Sequence, residues 1–161
     1  MGPTYLDIGI DDDGAISGPG VNFSLALGGA IAENLVLYGE FLTNRITDPT
    51  VELGGSSAEA TGANVNAGGV GAGVVYYFMP ANAFIGGTVL MHQVSVSDEN
   101  SEKLADSDAG LGGALRGGWE AWVADNWGLG VAGEVSVASM ADDESDLLST
   151  AFSLSLSATY Q

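Results

Sequence analysis

The amino-acid sequence predicts an all-β protein built as an eight-stranded antiparallel up-and-down β-barrel. Three observations predict this fold: segments that alternate in polarity, connections that alternate between short and long, and a polar face made of small side chains. The chain has 161 residues, which is enough for one domain. It has no cysteine, which excludes disulfide scaffolds, thiolate zinc sites and cysteine nucleophiles.

Eight segments have the strand period of two. The second is the clearest, because Val21, Phe23 and Leu25 alternate with small or polar residues. The last repeats the pattern, with Phe152 and Leu154 alternating with serines. In chain order, the predicted strands are residues 4–10, 21–31, 35–44, 65–78, 83–95, 110–123, 127–139 and 152–160.

The connections between these strands are of two kinds. Three are tight and nearly neutral, at residues 32–34, 79–82 and 124–126. Four are longer and acidic, at residues 11–18, 45–64, 96–109 and 140–146. These four hold 15 of the 21 acidic residues, so the strands carry few charges. Short turns at one end and long loops at the other, with an even number of antiparallel strands, are typical of a transmembrane barrel.

Charge and hydropathy exclude several classes of protein. The formal net charge is −18 with only three basic residues, which excludes sequence-independent binding to nucleic acid. The mean hydropathy of +0.24 argues against intrinsic disorder. The N-terminus has neither a basic nor an apolar leader region, so we expect any signal peptide to have been removed already. We expect one barrel domain over residues 4–161, and residues 1–3 to be foreign to the mature chain.

The polar face of the strands indicates which face meets lipid. This face is mostly glycine, alanine, serine, asparagine and threonine, whereas a solvated sheet carries lysine and glutamate in quantity. Small side chains suit the narrow lumen of an eight-stranded transmembrane β-barrel. Aromatic residues on the apolar face fall near its two ends and predict two interfacial girdles. They are Phe23, Phe41, Tyr76, Phe78, Trp119, Trp127, Phe152 and Tyr160.

A few charged residues fall on the polar face of the strands, and they predict a charge cluster in the lumen. Counting alternation from Arg116 across the turn at residues 124–126 places Glu134 directly opposite it on the next strand. Glu40 and Glu120 are the other two predicted members. Charges within a membrane-embedded barrel are costly unless they are paired. The cluster serves either as a gate or as a fixed filling of the lumen, and the small size of the barrel favours the filling.

With these features the chain resembles the small eight-stranded outer-membrane barrel proteins, the OmpA/OmpX/OmpW-like group, over residues 5–161. The resemblance implies a location in the outer membrane of a bacterium, surrounded by the lipid bilayer. It also implies that the barrel-assembly machinery reads an aromatic residue at the C-terminus. Tyr160 corresponds to that residue, displaced by one position because Gln161 follows it.

We expect neither an enzyme nor a firmly bound cofactor. His92 is the only histidine, and Ser95 lies on the opposite face of the same strand, so the two residues cannot form a catalytic dyad. Two acidic runs are weak candidates for loosely bound divalent cations such as Ca²⁺, although neither has the EF-hand spacing. These runs comprise Asp11, Asp12, Asp13, Asp142, Asp143, Glu144 and Asp146.

The sequence therefore favours a structural or surface-interaction role through acidic extracellular loops, with the lumen mostly plugged. The partner in the envelope or outside the cell is unidentified, and nucleic acid is not expected. Two alternatives stay open at this point. One is a narrow channel for small solutes or ions, and the other is a soluble, acidic, secreted β-sandwich or barrel.

Overall fold

The computed structural model describes residues 1–10, 14–98, 103–124, 126–141 and 146–160, and these residues form one antiparallel sheet of eleven strands. The strands are β1 (Gly2–Ile10), β2 (Gly14–Ala32), β3 (Leu35–Thr47), β4 (Thr50–Leu53), β5 (Ser56–Glu59), β6 (Ala63–Phe78), β7 (Ala83–Asp98), β8 (Lys103–Asp106), β9 (Gly110–Ala124), β10 (Trp127–Ala141) and β11 (Asp146–Tyr160). A short 3-10 helix, Met79–Ala81, joins β6 to β7. In the described residues no helix is long and apolar enough to cross a membrane.

Eight of these strands close the predicted ring. Strand β1 pairs with both β2 and β11, and the chain order β2, β3, β6, β7, β9, β10, β11 completes the circuit. Every pair is antiparallel and joins strands that follow one another around the barrel. The predicted all-β antiparallel fold is confirmed.

The long connections contain more β structure than the sequence predicts. Residues 45–64, predicted as one loop, include the end of β3, the β4–β5 hairpin and the start of β6. The hairpin adds to the edge of β2, where Leu53 pairs with Gly14. Strand β8 pairs with the end of β7 in the same way. The polarity pattern does not predict these additional strands. A strand that is surrounded by water is held by backbone hydrogen bonds and needs no apolar face.

The tight turns are explained by their residues. Asn34 and Asn82 both have positive φ, at 61° and 53°, a region that asparagine tolerates better than most side chains. The backbone N–H of Asn82 donates to the Met79 carbonyl at 3.3 Å and ends the 3-10 helix. Pro80 lies in the first turn of that helix, where a backbone N–H would have no hydrogen-bond partner within the helix, so proline is tolerated there. The turns at residues 32–34 and 79–82 are thus specified locally.

Side chains alternate across the barrel wall in the reverse of the order that a soluble protein shows. Large apolar side chains point outward on every side of the ring, as Leu27, Val89, Leu115 and Leu156 illustrate. The inward face buries polar and charged groups together with three small apolar clusters. The lumen is therefore filled by both polar and apolar side chains, and the outer face differs from it in being almost wholly apolar.

Strand β1 spans only the half of the barrel next to the long loops. It begins at Gly2, opposite Asn22 of β2, and its register on β11 covers residues 147–153. Gly2 and Pro3, left outside the predicted domain, belong to this strand. Within the described chain, the turn-end halves of β2 and β11 therefore have no β1 residue between them.

Candidate functional site in the barrel lumen

A buried ion-pair group lies in the middle of the lumen. Arg116 of β9 is the register partner of Glu134 on β10, and its Nη2 lies 2.8 Å from the Glu134 Oε2. The same Nη2 donates to Oε1 of Glu40, which reaches it from β3. The Glu40 carboxylate is fully buried, and the Arg116 side chain is only 15% exposed. One guanidinium therefore serves as the shared counter-charge of two carboxylates whose burial would otherwise be costly.

Two hydroxyl groups extend this ion-pair group into a connected network. Thr88 of β7 donates to Oε2 of Glu40 at 2.8 Å, and its own oxygen lies 2.7 Å from the Tyr38 hydroxyl. The Tyr38 ring centroid lies 5.5 Å from the Arg116 guanidinium carbon, a cation–π distance. We call these five residues, Tyr38, Glu40, Thr88, Arg116 and Glu134, the central network.

A glycine on β6 makes room for the central network. A Cβ added at Gly73 would lie 2.8 Å from both Tyr38 Cζ and Thr88 Oγ1. No side chain at this position would leave the tyrosine ring in place. Inward glycines thus allow a large aromatic ring to cross a narrow lumen.

A second polar layer lies nearer the long loops. Asn44, four residues beyond Glu40 on β3, is about 13 Å along the strand from it. Its Oδ1 accepts hydrogen bonds from Thr4 and Asn22, each at 3.1 Å. An apolar cluster of Leu42, Leu90 and Ala114 fills the lumen between the central network and this layer.

Glu120 lies apart from the ion pairs, so the structure divides the predicted cluster of four. It is four residues from Arg116 along β9, toward the short turns. Its Oε1 accepts hydrogen bonds from the hydroxyls of Ser157 (2.9 Å) and Thr159 (2.8 Å) on β11. Among the described residues, the ion pairs of Arg116 reach Glu40 and Glu134 only. The division follows from distance, because two inward positions four residues apart lie about 13 Å from one another.

His92 is a lumenal residue. It is buried on β7, on the same face as Thr88, and its Nδ1 has no hydrogen-bond partner in the described structure. Ser95 has the opposite parity and pairs across the sheet with Asn66. The two residues therefore form no dyad, and His92 belongs to the lumen.

The polarity pattern does not single out Tyr38, Thr88, Asn22 or Asn44, although parity could have found them. Tyr38 and Asn44 have the same parity as Glu40 on β3, so alternation alone points them inward. The partner that each one finds across the lumen depends on which strands face each other, which parity does not reveal.

All eight predicted girdle residues lie on the outer face, between 41% and 68% exposed. At the turn end, Tyr76 contacts Phe78 and Trp127 contacts Tyr160, with ring centroids 5.0 Å and 5.3 Å apart in edge-to-face geometry. Toward the loops, Phe152 is the register partner of Tyr5, a ninth outward aromatic that the predicted set omits.

The predicted cation-binding runs fall almost wholly outside the described residues. This applies to Asp11, Asp12, Asp13, Asp142, Asp143 and Glu144. Asp146 begins β11, and its side chain is also outside the description. In the part of the chain that the structure describes, no group of three or more His, Cys, Asp or Glu side chains could hold a metal ion.

Solved structures with the same fold include Neisserial surface protein A. Its crystal structure aligns with 99% of this chain and 93% of its own, with a TM-score of 0.64 and 12% sequence identity. The two chains share one fold. The fold expected from the resemblance is therefore confirmed, whereas identity this low carries no conclusion about activity.

Two further matches are weaker. Ail, the attachment invasion locus protein of Yersinia pestis, aligns at 12% identity over 99% of this chain and 93% of its own, with a TM-score of 0.47. A structure of Ail in complex with the heparin analogue sucrose octasulfate aligns at 12% identity over 99% and 98%, with a TM-score of 0.42. No family model and no curated protein matches the sequence.

Proposed function

We propose that this chain is an integral protein of a bacterial outer membrane, with a plugged lumen and a structural or surface-interaction role carried by its acidic loops. One observation carries the proposal: large apolar side chains face outward all around the ring, whereas the charged central network is buried in the lumen among apolar clusters. A soluble sandwich or barrel needs the opposite arrangement, because water must meet the polar face.

The outer face is too apolar and too continuous for a protein surrounded by water. Leu27 on β2, Val89 on β7, Leu115 on β9 and Leu156 on β11 are each 69% to 76% exposed. They point away from different sides of the ring, so the apolar surface surrounds the barrel. Soluble monomers rarely expose a contiguous apolar patch of more than a few hundred Å². A lipid bilayer is the partner that matches this surface, and exposed Tyr160 is the residue offered to the barrel-assembly machinery.

The contents of the lumen support a plug. The central network crosses the barrel at mid-height, and apolar clusters lie on both sides of it. Leu42 and Leu90 are at most 1% exposed. Small eight-stranded barrels have interiors that side chains fill. We therefore favour a role outside the lumen over conduction through it.

The acidic loops are the surface on which an interaction role rests. Glu52 and Glu59 are exposed on the β4–β5 hairpin, and Asp48 is exposed just before it. With a net charge of −18, this end of the barrel repels anions and attracts basic partners. A basic protein surface or peptide is the class of partner that we propose.

The membrane and plug parts of the proposal are tested on refolded protein. In detergent, boiled and unboiled samples are expected to migrate differently on a gel, because a closed barrel stays folded until it is heated. Reconstituted into a planar bilayer, the same protein is expected to show no single-channel conductance. Folding in salt water without detergent would contradict the membrane barrel, and steady conductance would favour the narrow channel over the plug.

The loop part of the proposal is tested by binding of an oligolysine peptide. We expect Glu52→Gln to weaken binding about twofold at low salt, and high salt to abolish the difference, because exposed charge pairs are weak and screened. Glu33→Gln, the same change in the exposed tight turn at residues 32–34, is the matched control and is expected to leave binding unchanged. Equal weakening by both variants would indicate a response to net charge and contradict a site on the loops.

A further inference from the structure

The charges inside the barrel do not balance. The described inward-facing side chains include three carboxylates, Glu40, Glu120 and Glu134, against the single guanidinium of Arg116. Arg116 is committed to Glu40 and Glu134 in the central network. The Glu120 carboxylate, at the turn end of the lumen, is therefore left without a cationic neighbour among the described side chains.

The buried carboxylate of Glu120 lacks part of the hydrogen bonding that a buried charge requires. The residue is 3% exposed, and its Oε1 is held by the Ser157 and Thr159 hydroxyls. Its Oε2 is buried and accepts no hydrogen bond from any described residue. A buried carboxylate that is neither paired nor fully hydrogen-bonded is strongly disfavoured. An oxygen of this kind in a folded protein therefore points to a bound species that the side chains themselves do not supply.

A residue without a side chain, Gly128, lies in the barrel wall beside this oxygen. Gly128 of β10 is buried next to Glu120, and a Cβ added there would lie 3.3 Å from the Glu120 Oε2 and 3.7 Å from Trp122 Cζ3. Any larger side chain at this position would fill the space in front of Oε2. The Ser157 and Thr159 hydroxyls each donate their hydrogen to Oε1, and Thr159 is also hydrogen-bonded to the Tyr77 side chain. The lone pairs that remain on the two hydroxyl oxygens can face a cation.

We propose that Glu120, with the Ser157 and Thr159 hydroxyls, binds a small monovalent cation such as Na⁺ in the space over Gly128. The ligand set is one carboxylate and neutral oxygens, which matches a single positive charge. Ca²⁺ takes six to eight oxygen ligands, commonly several carboxylates, and Mg²⁺ requires a near-octahedral shell. The site is independent of the loops and supplies the counter-charge that Arg116 cannot.

The proposal is tested by thermal unfolding of the refolded protein in detergent at constant ionic strength. Na⁺ replaces N-methyl-D-glucamine, an organic cation too large for the space over Gly128. At about ten times the dissociation constant, Na⁺ is expected to raise the unfolding temperature by about 3 to 6 °C, and the rise is expected to saturate. An equal unfolding temperature in the two cations would overturn the proposal.

Two variants and a control separate this site from the acidic loops. Glu120→Gln is nearly isosteric and is expected to abolish the Na⁺-dependent rise, and a heat-modifiability gel verifies that the variant folds. Gly128→Ala keeps the carboxylate and is expected to abolish the rise by filling the space. Glu33→Gln, exposed in a turn at the same end of the barrel, is expected to retain the full rise. An unchanged Na⁺ response in both lumenal variants would overturn the site, because the cation would then bind elsewhere.

Discussion

Replacing Arg116 with alanine is expected to destabilise the barrel by about 3–5 kcal/mol, because two buried carboxylates lose their shared counter-charge. Glu40 is fully buried and Glu134 nearly so, which keeps water from compensating for the lost cation. Removing the guanidinium also takes a cation from the face of Tyr38. The measurement is the free energy of unfolding by denaturant in lipid vesicles.

Two controls separate charge from packing in this experiment. Arg45→Ala removes an exposed arginine on the outer face of β3 and is expected to change stability by less than about 1 kcal/mol. The triple variant Arg116→Met, Glu40→Gln, Glu134→Gln removes all three charges and is expected to recover most of the loss, since neutral groups of similar volume tolerate burial. A loss of equal size in the triple variant would show that packing, and not charge, makes Arg116 important.

Placing an arginine at Leu115 is expected to destabilise the protein in a bilayer by about 2–4 kcal/mol. Leu115 is 70% exposed near the middle of β9, between Gly87 and Val135 on the neighbouring strands. In water such an exposed position would accept arginine at almost no cost. In lipid, the guanidinium must be held in hydrocarbon or must reach the interface. The loss of stability therefore indicates whether lipid or water surrounds the barrel at this position. The measurement is the free energy of unfolding of the protein in lipid vesicles.

Leu104→Arg is the matched control for this measurement. Leu104 is 62% exposed, but it lies on β8, which pairs with the end of β7 beyond the apolar band. We expect the Leu104 variant to be nearly neutral. If Leu115→Arg were also neutral, the band on the outer face would not be in contact with lipid, and the proposed location would be contradicted.

Alternation of polarity was sufficient to predict the eight barrel strands and their order. On β1 alternation does not give the inward face, because Leu6 and Ile8 are the buried residues there whereas Asp7 is exposed. Parity carried from Arg116 across one tight turn puts Glu134 opposite it, and in the structure 2.8 Å separates their side chains. The register that brings Arg116 opposite Glu134 is set by the tight turn together with a β-bulge between Trp127 and Gly128.

The strands within the long connections could not be predicted in this way. The β4–β5 hairpin and β8 are short and polar, and they form because β2 and β7 continue past the barrel and offer free edges. No apolar period marks them, so the sequence resembles that of a loop. Their existence depends on a neighbour that is distant in sequence.

The side-chain contacts in the lumen could not be predicted from the sequence either. The sequence supplies three carboxylates and one arginine with inward parity, yet it does not state which carboxylates Arg116 can reach. Glu40 joins it from β3, 76 residues away, whereas Glu120 on the same strand as Arg116 lies too far along the axis. Which carboxylates pair with Arg116 depends on the height of each residue along the barrel axis and on the position of its strand around the ring.

The sequence by itself determined the fold class and the ends at which acidic residues collect, because both follow from a period of two and from the contrast between short and long connections. Only the tertiary structure decided that Tyr38, Glu40, Thr88, Arg116 and Glu134 form one network while Glu120 stands alone beside Gly128. The physical reason is that closure of the ring sets the distances across the lumen, and the interaction between two charges depends on those distances and on the water excluded between them.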